Sequence, residues 1–173
     1  MIKKLYEGLD FMPALVELSQ SKAWGTIPFR TSYEGSAHKE VEDIVLRYPI
    51  LEEPEDAFDA ISCIPYDPWY DLPEIRKIVF DTMRAFEGVQ LGKVVVTNLP
   101  AGGKIRPHID EGVANEVYTR LQLNLFGECE FTVGEETVTM KGGELWVFDN
   151  QLEHSVVNNT DKERVALIID ILI

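Results

Sequence analysis

The stretch that decides the fold runs from residue 117 to residue 148 and reads VYTRLQLNLFGECEFTVGEETVTMKGGELWVF. Short runs rich in β-branched and aromatic residues alternate in it with glycine-containing turns, which is typical of consecutive strands. Gly134 and Glu135 separate two of these runs and predict a tight hairpin. Gly142 and Gly143 mark the next junction. The stretch therefore predicts several short strands in succession.

Further strands are predicted over 43–48, 93–98, 154–157 and 164–172, and helices over 10–19 and 73–87. The proline-rich stretch 49–73 is predicted to be mostly loop. Strands that follow a more helical first half predict a mainly β fold with helices (α+β). We expect a double-stranded β-helix, which is a cupin-like jelly-roll barrel, braced by amino-terminal helices. One domain is expected over 1–173, with 1–92 helical or irregular and 93–173 forming the core.

The composition excludes several classes of partner. A net charge of −14 opposes binding to nucleic acid or to an anionic membrane. No apolar run reaches the roughly 20 residues that span a bilayer. The first residues lack the features of a signal peptide, so a cytoplasmic location is expected. Cys63 and Cys129 match no zinc spacing and are expected to be reduced.

Three residues form a candidate metal site. His108 and Asp110 stand two positions apart, so an extended strand places them on the same side, and His154 follows from a later strand. Each signal alone is weak, because an isolated histidine is more often a hydrogen-bonded core residue. The chain has only 3 histidines, however, and two of them fall into one pattern. Two imidazoles and a carboxylate suit non-haem Fe(II), although zinc with a water accepts the same ligands.

A cation follows the metal pattern. Arg164 begins the apolar strand 164–170, ten residues after His154 (164 − 154). An ordinary surface arginine is the alternative, but the apolar neighbours favour burial with a partner. A planar guanidinium pairs bidentately with a carboxylate, so Arg164 is a candidate clamp for a dicarboxylate. With the metal set, it predicts an oxygenase that uses Fe(II) and 2-oxoglutarate as co-substrate.

Polar residues alternate with leucines in the strand 118–126. Period two places Arg120, Gln122 and Asn124 on one face. This face is either the wet side of a strand or the lining of a pocket. Both interpretations stay open at this point.

Four runs carry a resemblance to a known family. The segment 94–173 resembles the aspartyl/asparaginyl β-hydroxylase family, including its small bacterial free-proline hydroxylase branch. The matching runs are RPHID at 106–110, TRLQLNL at 119–125, GELWVFDNQLEHS at 143–155 and RVALIID at 164–170. By position, the resemblance implies that His108, Asp110 and His154 bind iron. It also implies that Arg164 binds the distal carboxylate of 2-oxoglutarate, with Thr97 supplying a hydroxyl.

The resemblance further places Asn124 near the group that positions the iron-bound end of the co-substrate. Two departures separate this chain from the protein hydroxylases. Asp110 is retained where they lack a carboxylate, and Gln122 stands where they carry a basic residue. The retained Asp110 is typical of the free-proline hydroxylases and the wider superfamily, and Gln122 argues against a peptidyl aspartate substrate.

The resemblance gives a reaction type and leaves the substrate open. An amino acid, a peptidyl side chain or a related small molecule would be hydroxylated, and residues 1–92 would form the wall that faces it. Candidate substrate contacts are His38, Arg47, Arg120 and Gln122. The alternative is a cupin-like protein that binds a metal or small molecule without turnover. A zinc hydrolase or isomerase would need a general base, for which Glu111 and Glu153 are the nearby candidates.

Overall fold

The computed structural model describes residues 1–50 and 61–173. The helices are α1 (Met12–Gln20), α2 (Asp67–Asp71), α3 (Pro73–Ala85) and α4 (Val113–Val117). The first strands are β1 (Ile2–Tyr6), β2 (Glu42–Tyr48), β3 (Ile64–Pro65), β4 (Gln90–Leu99), β5 (Lys104–His108) and β6 (Thr119–Phe126). The remaining strands are β7 (Glu128–Val133), β8 (Glu136–Lys141), β9 (Glu144–Phe148), β10 (His154–Val157) and β11 (Arg164–Leu172).

The strands form two antiparallel sheets. The large sheet has the order β1-β9-β6-β11-β4-β2-β3, and the small sheet has the order β5-β10-β7-β8. The mainly β jelly-roll prediction is confirmed, although the two sheets stay open and do not close into a continuous barrel. Gly134 and Glu135 form the predicted two-residue hairpin between β7 and β8, with Gly134 at φ +57°.

The large sheet has a helix-covered face and an inner face, because side chains alternate along each strand. In β11, Val165, Leu167 and Ile169 pack into the cluster that contains Leu18 of α1 and Ile75 of α3. The intervening side chains of β11 point to the small sheet. The inner faces of both sheets enclose a second apolar cluster, and the candidate site lies beside it.

The first 92 residues contribute more strand than their sequence suggests. β1 pairs with β9, and β2 pairs with β4, so both join the large sheet. β4 itself crosses the expected division between residues 92 and 93. The stretch 49–73, predicted to be mostly loop, contains β3 and α2, while residues 51–60 lie outside the described part of the chain. Cys63 and Cys129 are free thiols, as predicted. None of the described helices is long and apolar enough to cross a membrane.

Candidate metal centre and cavity

Two neighbouring strands bring the metal-ligand candidates together. His108 of β5 and His154 of β10 are register partners in the small sheet, so both side chains leave the same face. Their ring centroids are 4.3 Å apart. The ligand atoms of His108, Asp110 and His154 all lie within 4.8 Å of one another. This group could hold a metal ion.

The backbone fixes which imidazole nitrogen faces the centre. The Nδ1 atom of His108 lies 2.8 Å from the carbonyl oxygen of Arg106. The Nδ1 atom of His154 lies 2.9 Å from the carbonyl oxygen of Leu152. A carbonyl only accepts, so each Nδ1 donates its proton and each Nε2 keeps a free lone pair. Such hydrogen bonds orient the histidine ligands of metals.

Burial keeps both imidazoles neutral. The pKa of His154 is lowered to about 4, mostly by burial and next by the neighbouring His108. Burial also lowers the pKa of His108, against an opposing contribution from the hydrogen bond to Arg106. A metal needs the neutral form of imidazole, so the site favours the protonation state that binds.

Asp110, just after β5, is held in place by its neighbours. Its Oδ1 atom lies 3.6 Å from Nε2 of His108. Its Oδ2 atom accepts hydrogen bonds from Nη1 of Arg120 and, at 3.3 Å, from Nδ2 of Asn150. The amide of Asp110 also donates to the Asn150 carbonyl at 3.1 Å. These bonds leave Oδ1 facing the histidines.

Arg120 is engaged by carboxylates on two sides. Its Nε and Nη2 atoms each donate to Asp170 of β11 at 2.8 Å, in a bidentate pair. The same guanidinium contacts Asp110. Arg120 was a candidate substrate contact, and it does line the cavity described below. Its hydrogen-bonding capacity, however, is directed to orienting Asp110.

Arg164 is a buried cation without a carboxylate. The residue is 1% exposed, and within residues 1–50 and 61–173 it forms no ion pair. Its Nε atom donates to Oδ1 of Asn124 at 2.6 Å, while its Nη2 atom is buried without a hydrogen-bond partner. Burial lowers the pKa of Arg164. An isolated buried charge is costly, and an anionic ligand would offset that cost.

Thr97 offers a second unpaired group on the same face. Its Oγ1 atom is buried and has no hydrogen-bond partner in the part of the chain that the structure describes. Ala166 of β11 is the register partner of Thr97 on one side and of Asn124 on the other, so these residues form one row beside Arg164. Free guanidinium and hydroxyl donors in this row fit a carboxylate, such as the distal one of 2-oxoglutarate.

Asn124 supports Arg164. Its Oδ1 atom accepts from Arg164, and its Nδ2 atom donates to the carbonyl of Gly127 at 2.9 Å. Each end of the amide thus makes one bond, which leaves the second N–H of Nδ2 and a second lone pair of Oδ1. Asn124 orients Arg164, and its role at the iron-bound end of a co-substrate stays a prediction.

A cavity of about 470 Å³ opens beside the metal-ligand group. Its lining includes His108, Asp110, Arg120, His38 and Lys93. The lining does not include four nearly fully buried residues, which are Arg164, Thr97, Asn124 and His154. The cavity thus meets the metal-ligand group from one side, and the row formed by Arg164, Thr97 and Asn124 lies in the closed interior.

The candidate substrate contacts separate into two groups. His38 lines the cavity with a buried, unpartnered Nδ1 atom, and its ring centroid is 4.6 Å from that of His108. Arg47 does not line the cavity, because a bulge between Val45 and Arg47 turns Tyr48 inward in its place. The Arg47 guanidinium instead donates to the Cys63 carbonyl at 2.7 Å.

Gln122 also lies outside the cavity lining. It is 3% exposed, and its Nε2 atom is 3.1 Å from the sulfur of Met140. The polar face of β6 is therefore interior and not the wet side of a strand, but of its three polar residues only Arg120 lines the cavity. Glu111 and Glu153, the candidate general bases, are both exposed, although Glu111 lies at the cavity edge.

Sequence reasoning missed the asparagines that support the centre. Asn150 precedes His154 within the run 143–155, so its proximity could have been inferred from that run. Asn115, on α4, accepts from Asn150 at 3.2 Å and donates to the Glu111 carbonyl at 2.6 Å. No spacing in the sequence links these positions.

Comparison with known proteins identifies the family. A family model described as Aspartyl/Asparaginyl beta-hydroxylase matches residues 69–172, which is more than half of the chain. No curated protein sequence matches the chain.

Several solved structures are similar to part of the chain. A conserved protein of unknown function from Streptococcus pyogenes aligns at 18% identity and TM-score 0.38, over 47% of this chain and 64% of its own. A predicted oxalate decarboxylase from Thermotoga maritima aligns at 22% identity and TM-score 0.41, over 53% and 74%. The Cnp3 cupin domain from Schizosaccharomyces pombe aligns at 17% identity and TM-score 0.41, over 47% and 56%. The chain thus spans less than two thirds of the first and third of these proteins.

Proposed function

The chain belongs to the aspartyl/asparaginyl β-hydroxylase family, and from this premise we propose that it is an Fe(II)- and 2-oxoglutarate-dependent dioxygenase. Its reaction hydroxylates an amino acid, a peptidyl side chain or a related small molecule, with release of succinate and CO2. The proposal joins the family membership to two features of the site, a group that could hold a metal and a buried cation.

The buried cation carries the proposal. Arg164 is almost fully buried, lacks a carboxylate among the described residues and keeps Nη2 unpaired. Thr97 adds an unpaired hydroxyl in the same row. A protein without an anionic ligand at this place would bear the desolvation of the guanidinium with no compensation. The distal carboxylate of 2-oxoglutarate supplies the missing partner.

The chain's own residues hold and orient the reactants. His108 and His154 would bind Fe(II) through Nε2, and Asp110 would bind it through the oxygen that its supporting hydrogen bonds leave free. When bound, Fe(II) would activate oxygen, while decarboxylation of 2-oxoglutarate to succinate and oxidation of the substrate carbon would each supply half of the electrons that reduce it.

Aromatic side chains limit the access of water to the centre. The ring of Phe131 stacks on His154 with centroids 6.2 Å apart, and the ring of Phe148 lies 5.2 Å from it. Both phenylalanines are buried. This apolar side strengthens the electrostatic contacts of the site by lowering the local dielectric. The substrate enters from the opposite side, through the cavity that His38 lines.

The alternatives fit the site less well. A protein that binds a metal or small molecule without turnover would not account for the unpaired donors of Arg164 and Thr97. A zinc-dependent hydrolase needs a general base within reach of the metal-bound water, and Glu111 and Glu153 are exposed.

Turnover of 2-oxoglutarate tests the proposal. The Fe(II)-loaded protein is assayed for succinate release in air with a panel of free amino acids and short peptides. We expect a subset of the panel to raise succinate release, and a zinc-loaded sample to give none. Equal release from the zinc-loaded and iron-loaded samples would exclude the proposed reaction.

A further inference from the structure

Most of the basic residues that line the cavity are already paired. Arg30 makes a bidentate pair with Asp43 at 2.9 and 2.8 Å. Arg120 pairs in the same way with Asp170. Arg106 donates to two backbone carbonyls at 3.1 and 2.6 Å. Each of these arginines therefore already has a hydrogen-bond partner within the protein.

Lys93 is the exception. It extends from β4 into the cavity wall, and the structure gives it neither an ion pair nor a hydrogen bond within the described ranges. Its Nζ atom lies 5.4 Å from the centroid of the Tyr48 ring. The pKa of Lys93 is lowered to about 8, mostly by burial and next by the nearby Arg120. The ammonium group thus stands half-buried beside an aromatic face, with no counterion in contact among the residues that the structure describes.

We propose that Lys93 anchors the carboxylate of a small organic acid, which is the substrate of this site. The proposal rests on the dioxygenase function and names its substrate class. In this arrangement the acid lies along the apolar part of the cavity wall, formed by Phe29, Val95 and Ile168, with its remaining carbons towards His108.

Charge favours a singly charged acid over other ligands. The chain carries a net charge of −14, so an unpaired cation inside a cavity is unusual for it. Among the described residues, Lys93 is the lining lysine or arginine for which the structure shows neither an ion pair nor a hydrogen bond. A cationic or neutral ligand would leave it unpaired, and a phosphate would bring more charge than one ammonium balances.

The co-substrate is not the ligand that we assign to Lys93. The donors that fit the distal carboxylate of 2-oxoglutarate belong to Arg164 and Thr97, and neither lines the cavity. The chain therefore provides two separate places for carboxylates, one in the interior row and one in the cavity.

Nuclear magnetic resonance of the lysine side chains tests the proposal without turnover. The full-length, metal-free protein is produced with 13Cε-lysine, which labels all 9 lysines. Absence of one signal in Lys93→Gln assigns Lys93, and Lys93→Arg gives the same assignment while keeping the charge. The protein is titrated with hexanoate and, as the matched neutral probe, with hexanamide.

We expect hexanoate to move the Lys93 signal saturably and hexanamide to leave it in place, with the other lysines as internal controls. No response to hexanoate, or an equal response to hexanamide, would overturn the proposal.

A second arm repeats the titration with Zn(II) and 2-oxoglutarate present. If 2-oxoglutarate itself moves the Lys93 signal and blocks hexanoate, the carboxylate belongs to the co-substrate and the substrate assignment is wrong. If 2-oxoglutarate does not bind, the dioxygenase proposal fails, while the first titration still decides the role of Lys93.

Discussion

Replacing Arg164 by methionine should cost the protein its co-substrate without the loss of stability that breaking a buried ion pair brings. Methionine is close to arginine in length and removes a buried charge that has no carboxylate partner among the described residues. Replacing a buried ion pair by apolar groups is often neutral or stabilising by about 1–4 kcal/mol, and an unpaired buried charge has no attraction to a partner to lose. The lost hydrogen bond leaves Oδ1 of Asn124 unsatisfied, at a cost of about 1–3 kcal/mol. The two terms limit the change in the free energy of unfolding of the metal-free protein to between a loss and a gain of about 3 kcal/mol, and we expect it near the middle of that range.

Urea unfolding measures the difference in the free energy of unfolding between the parent and Arg164→Met, as a shift of the urea midpoint at constant slope. Arg120→Met is the matched control, because that guanidinium does pair with Asp170 and Asp110. Removing one member of a buried pair is expected to lower stability by about 3–5 kcal/mol. A loss of that size in Arg164→Met as well would show that Arg164 has a structural partner, and the reasoning about a vacant anion site would be refuted.

Three further outcomes are expected. His154→Ala should abolish stoichiometric uptake of Fe(II) in anaerobic equilibrium dialysis; uptake equal to the parent's would remove it from the ligand set. Asn150→Ala should weaken metal binding roughly 10–100-fold, because the supporting hydrogen bond to Asp110 is lost; competition with a chelator measures this, and unchanged affinity would contradict it. Gly127→Ala should lower unfolding stability by about 1–3 kcal/mol, because Gly127 has φ +73° and an added Cβ would clash with the carbonyl of Glu163; an unchanged urea midpoint would disprove this.

Local patterns predicted the parts of the fold that depend on neighbours in sequence. The hairpin at Gly134 follows from turn chemistry, and the helix over 73–85 follows from its apolar periodicity and Gly88. β1 was not predicted, because it is five residues long and its partner β9 lies near the other end of the chain. Pairing between distant segments leaves no mark in the local composition.

The same distinction holds for the site. The H-x-D spacing and the strand positions were enough to bring His108 and His154 together. Irregular backbone decided the rest: the bulge in β2 places Tyr48 in the cavity wall and turns Arg47 away. The role of Asn124 depended on where its amide finds partners, which alternation along β6 does not determine.

Anaerobic titration with 2-oxoglutarate tests the central claim most directly. The Fe(II)-loaded parent and Arg164→Met are followed by the visible charge-transfer band of the bound 2-oxo acid, with pyruvate as a comparison that lacks the distal carboxylate. We predict saturation of the parent at one equivalent per chain and a loss of about 2–5 kcal/mol of 2-oxoglutarate affinity in the variant. Pyruvate should bind both proteins alike. Identical midpoints for 2-oxoglutarate in the two proteins, or no band in the parent, would contradict the account.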